Sequence, residues 1–177
     1  MVFKWVCTRS GSLNLKNNYT TSNKEMNVSE AKNVLDAVLI ELANLLGWNK
    51  EDIVVDLEDR HRHDAEWYKN LAKRYRLDAQ SYLTKCDYKN ASKKLFGSVL
   101  ALIKAIVIMH NEMLERLWEK AEVESVINRL PEKEKLSKLL NDANALVEFA
   151  NCCSNDTKTF EEKFRNVNTV MESLLVK

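Results

Sequence analysis

Three glycines and one proline are all that this chain of 177 residues contains. Average usage would supply about 21 of the two together. Sandwiches, barrels and doubly wound sheets turn every few residues, and glycine and proline supply most of that turn geometry. Their scarcity therefore points to few, long elements, which are helices. Gly11, Gly47 and Gly97 also lie too far apart to share one loop, which excludes a glycine-rich phosphate cradle.

The length suits one domain. Residues 1–26 are rich in Ser, Thr, Asn and Lys without helical period and are expected to be a polar lead-in or tail, with one helical-bundle domain over 27–177. Lys and Arg number 27 and Asp and Glu 26, so only a local patch could indicate a nucleic-acid partner. The longest apolar stretch, Leu95 to Met109, is interrupted by Ser98 and Lys104 and is too short for a bilayer. No membrane association is expected. No apolar run of signal-peptide length follows Met1, and Cys7, Cys86, Cys152 and Cys153 have neither zinc-knuckle nor redox-motif spacing. Reduced thiols in a cytoplasmic protein are the expectation.

Apolar periodicity predicts a helix over Val28–Leu46, capped by Asn27 with Glu30, cored by Val34, Leu35, Val38, Leu39, Leu42 and Leu45, and ended by Gly47. Trp48–Val55 is ambiguous and suggests a short helical turn. A second long helix is predicted over about Leu57–Lys85. At 100° per residue, Tyr68, Leu71, Ala72, Tyr75, Ala79 and Tyr82 form its inner side, and Arg62, Lys69, Lys73 and Arg76 its outer one. A turn at Cys86-Asp87-Tyr88, with Asp87 as N-cap, leads into a third helix over about Tyr88–Leu117. That helix is apolar nearly all round from Leu95 to Met109, which makes it central, and Gly97, Ala101 and Ala105 form a ridge for close packing. Further helices are predicted over Trp118–Arg129, ended by Pro131, over Glu132–Phe149, and from a Thr159–Glu162 capping box onward. The sum is an all-α antiparallel bundle of five or six helices.

One segment is distinctive. Ala79-Gln80-Ser81-Tyr82-Leu83-Thr84-Lys85-Cys86-Asp87-Tyr88-Lys89-Asn90-Ala91-Ser92-Lys93-Lys94-Leu95-Phe96-Gly97, followed by Ala101-Leu102-Ile103-Lys104-Ala105, resembles the archaeal PaREP proteins. These belong with the HEPN domains (higher eukaryotes and prokaryotes nucleotide-binding). Cys86 stands where that family's turn has Gly; a left-handed conformation there would cost on the order of 1 kcal/mol. The resemblance implies a HEPN-like bundle, often paired, so a homo-oligomer, most simply a dimer, is expected. Ribonuclease members of that group carry an Arg followed four to six residues later by His. None of His61, His63 and His110 is preceded by Arg at that distance, and Thr169, Val170 and Met171 stand where a His would complete a motif begun by Arg165-Asn166. The expectation is a module without catalytic residues.

Two other groups of residues bear on chemistry. Glu58 and His61 form one Glu-x-x-His pair, but a di-iron bundle needs two, so no metal and no cofactor are expected. From Arg60 to Arg76, six cations face two acidic residues; Arg62, Trp67, Lys69, Lys73 and Arg76 are the candidate nucleic-acid contacts. Lys104, alone in the apolar run, could snorkel, pair with a buried carboxylate, or serve a pocket. The sequence thus points to an interaction module whose partner is itself, another protein, RNA or DNA. The alternatives are a toxin-like ribonuclease with an atypical site and a scaffold similar to tetratricopeptide hairpins.

Overall fold

The computed structural model describes residues 28–58, 64–110, 120–152 and 156–175, and these form seven helices without a strand. They are α1 (Val28–Leu46), α2 (Lys50–Leu57), α3 (Ala65–Thr84), α4 (Tyr88–Met109), α5 (Lys120–Ile127), α6 (Lys133–Cys152) and α7 (Thr157–Leu175). The all-α expectation holds, with one or two more helices than expected. The added element is α2, where only a helical turn was anticipated. The long second helix begins at Ala65 rather than near Leu57, because Asp64 caps it by accepting from the Trp67 amide at 3.0 Å. The last helix likewise starts before Thr159: Asp156, not Thr159, is its cap, accepting from the Thr159 amide at 3.1 Å. The polar lead-in over 1–26 and the Asn27 cap lie outside the described residues.

The centre is the α3–α4 hairpin. Tyr82, Leu83, Cys86 and Asp87 close α3 in a Schellman arrangement: the Asp87 amide donates to the Tyr82 carbonyl and the Cys86 amide to that of Leu83, both at 3.0 Å. Asp87 then opens α4, its carboxylate accepting from the Asn90 amide at 3.1 Å. One residue thus ends one cap and begins the next. This geometry needs Cys86 in the left-handed region, at φ 57°. No Cβ is comfortable there, so Cys86→Gly is expected to raise stability by about 0.5–1 kcal/mol in urea unfolding. An unchanged midpoint would show that the turn relaxes around the thiol.

Helix α4 is buried on most of its circumference from Leu95 to Ala105 because α1, α3, α5, α6 and α7 all pack against it. Close approach to α3 is marked by the Ser98 hydroxyl, which donates to the Ala72 carbonyl at 2.5 Å in the interior. The small-residue ridge has a specific use at Gly97. The turn after α1 descends onto it, and the Trp48 indole donates to the Gly97 carbonyl at 2.8 Å. Gly47, at φ 69°, gives α1 its left-handed end as the sequence predicts.

Helix α1 departs from expectation. Leu39 and Leu46 are buried, but Val34, Leu35, Val38 and Leu45 are 56, 58, 49 and 69% exposed. The predicted core stripe is therefore mostly a surface stripe. The physical reason is that α1 docks mainly through its C-terminal end, where Leu46, Gly47 and Trp48 meet α4.

Candidate functional site

The polar chemistry of the bundle gathers where α2 lies along the hairpin. Asp52 and Asp56 stand four residues apart on α2, so they share one face. Tyr68 and Tyr75 stand seven apart on α3 and also share one. The two pairs meet in antiparallel order: the Tyr68 phenol donates to Asp56, and the Tyr75 phenol to Asp52. The α2 N-terminus is fastened at the same place, the Asn49 amide donating to the Tyr75 oxygen at 2.6 Å. Arg74 reaches Asp52 at 2.6 Å. Burial first, and the Asp52 carboxylate second, push the Tyr75 phenol well above its ordinary range.

Lys104 completes the inner end. Its ammonium donates to both oxygens of Asp56, at 2.9 and 2.7 Å, with only 4 and 5% of the two side chains exposed. The Trp48 and Tyr68 rings stand 4.8 and 5.4 Å from the same nitrogen. Of the three roles open to Lys104, pairing with a buried carboxylate is the one the structure displays. Lys94 caps the outer end, donating to the Asn49 side chain at 2.8 Å and lying 4.6 Å over the Tyr75 ring. Burial pushes its ammonium below the ordinary lysine value. These groups satisfy one another in a closed arrangement, so its chemistry is that of a clamp holding α2.

The basic candidates are less united than their spacing suggests. Arg62 lies outside the described residues. Arg76 is engaged across the bundle by Glu172 of α7. Trp67 is half-buried, its ring edge-on to Tyr68 at 4.7 Å, and packs against the core rather than beside the cations. Lys69 is half-buried and Lys73 exposed. His61 and His63 also lie outside the described residues, and among those described no group of three His, Cys, Asp or Glu is placed to hold a metal ion. No described helix is long and apolar enough to cross a membrane.

Two features of the surface were not legible from composition. One is the exposed α1 stripe. The other is a groove of about 460 Å³ beside it, walled by Leu46, Phe96, Leu100, Val123, Leu140 and Val147 from α1, α4, α5 and α6. Leu45 belongs to both. The leucines of α1 were visible as a periodic set, but periodicity reports that a face is apolar, not what covers it.

The family model described as Archaeal PaREP1/PaREP8 family matches residues 67–175, more than half of the chain. That span takes in Tyr68, Tyr75 and Lys104, while α1, α2 and the carboxylates Asp52 and Asp56 precede it. No curated protein and no solved structure matches.

Proposed function

The chain belongs to the archaeal PaREP1/PaREP8 family, and on that premise we propose that it is a helical interaction module that pairs with a second copy through the outer face of α1. The observation that carries this reading is the stripe of Val34, Leu35, Val38 and Leu45, about half or more exposed on a single helix. Monomers rarely leave contiguous apolar surface of this kind uncovered. Leu35, Val38, Leu42 and Leu45 alternate at three and four residues, the spacing by which one helix packs along another. A two-fold pair uses the same patch twice and needs no second kind of surface. In this reading the bundle is HEPN-like and non-catalytic, and the clamped α2 holds α1 in place for pairing.

Light scattering after size exclusion tests it. The expected mass is twice that of the chain, and Leu35→Glu with Val38→Glu is expected to weaken pairing by about 100-fold or more, the two lost apolar contacts each being worth 1.5–3 kcal/mol. Because both positions are exposed, thermal stability of the monomer should move by no more than about 0.5 kcal/mol per site. A wild-type protein that stays monomeric at millimolar concentration would falsify the reading. Nucleic acid that co-elutes at low salt and is released as the salt is raised would instead favour the basic residues of α3.

A further inference from the structure

We propose that the groove between α1, α4 and α6 is a ligand site for a medium-chain aliphatic carboxylate. Its volume of about 460 Å³ falls in the range of small-molecule sites, which are mostly apolar with a few placed polar groups. The walls fit that description. Leu46, Phe96, Leu100, Leu140 and Val147 supply hydrocarbon, while Asn44, Lys93 and Asn144 are the polar side chains that line it.

The charge of the lining selects the ligand. Lys93 is its one ionic group, and no carboxylate lines the groove among the described residues. The other lysines nearby are engaged: Lys94 by Asn49, and Lys104 by Asp56. Lys93 has no such ion pair among the described residues. An alkyl chain ending in an anion satisfies both halves of the site, its methylenes against leucine and its head on the Lys93 ammonium with Asn44 beside it, while the Asn144 amide is held by Glu148 at 2.8 Å. An alkylammonium would meet like charge at the same place. The backbone of Lys93 is fixed independently of any ligand, since its carbonyl packs directly against Gly47. The root of the Lys93 side chain is thus held at the edge of the groove by the turn that docks α1.

The groove adjoins the pairing stripe and shares Leu45 with it, but ligand heat and oligomer mass read the two separately. Calorimetric titration with hexanoate, octanoate and decanoate is the test. Burying each added methylene is expected to strengthen binding by about fourfold, or about 15-fold for each two-carbon step. Lys93→Gln should weaken decanoate binding by about 10-fold or more with unchanged melting, and decylammonium should bind at least 10-fold more weakly than decanoate. Val147→Trp, which fills the mouth from a half-buried position on α6, should abolish the heat. No heat with decanoate at millimolar concentration, no dependence on chain length, or equal binding by Lys93→Gln would each overturn the proposal. So would decanoate binding that persists in Val147→Trp, which places the ligand elsewhere. If instead decanoate binds only to the Leu35→Glu, Val38→Glu monomer, a second copy occupies the groove and the proposal fails while pairing stands.

Discussion

Asp56→Ala is expected to destabilise the bundle by about 3–5 kcal/mol, among the largest effects of any single side-chain truncation in it. The figure is that for removing one partner of a buried ion pair. Lys104, a residue 3% exposed, would keep its ammonium in the interior without the carboxylate now at 2.7 and 2.9 Å. The two rings that remain, Trp48 and Tyr68, offset part of this through cation–π attraction, about 2 kcal/mol at most for a desolvated pair. Tyr68 also loses the acceptor for its hydroxyl. The double replacement Asp56→Leu, Lys104→Met separates attraction from desolvation. Both charges vanish with little change of volume, and stability should return to within about 1–2 kcal/mol of the parent, or exceed it. Urea unfolding of the parent, the two single variants and the pair closes the cycle. A small loss in Asp56→Ala, below about 1 kcal/mol, would mean that water reaches the ammonium and that α2 does not seal the site.

The clamp also shows where sequence reasoning ends. Helices α1, α3, α4, α6 and α7 were recoverable because each carries a long apolar period and a local stop or start, such as Gly47 or Asp87. Even then, the cap expected at Thr159 lies at Asp156, since both residue types accept from an amide and the pattern Thr-x-x-Glu does not say which one does. Helix α2 has eight residues, too few for a period to declare itself, and nothing local marks the partners of its carboxylates. Lys104 was singled out as an anomaly in an apolar run, but its partner lies 48 residues away. One signal was available: carboxylates four apart, at Asp52 and Asp56, facing tyrosines seven apart, at Tyr68 and Tyr75. The spacings alone would allow either order of pairing, so which aspartate meets which tyrosine is a tertiary fact. The α1 stripe failed in the opposite direction. Its amphipathicity was real, but the bundle has no further helix among the described residues to cover it, so an apolar face became a surface.

Gly47→Ala should rival the loss of Asp56, at about 3 kcal/mol or more, although it adds a single methyl group. Two penalties combine there. At φ 69° a residue with a Cβ loses roughly 1–2 kcal/mol to its own backbone. The added carbon would also lie 2.0 Å from the Lys93 carbonyl oxygen, a backbone atom in the middle of a helix that cannot rotate away. Relief requires the α1–α2 turn to lift off α4. Gly97→Ala approaches the same joint from the other side, where its Cβ would meet the Leu46 oxygen at 2.8 Å and the Trp48 ring at 2.9 Å. Without a left-handed penalty, overpacking alone should cost about 1–3 kcal/mol. Lifting the turn also moves Trp48 from Lys104 and slackens α2, so the glycine joint and the ion pair are one mechanical unit. That coupling is measurable. In the double variant Gly47→Ala, Asp56→Ala, the loss should fall short of the sum of the single losses by more than about 1 kcal/mol, as expected for residues that share partners. Additivity to within about 0.5 kcal/mol would show that α2 stays clamped on the hairpin while the turn before it yields.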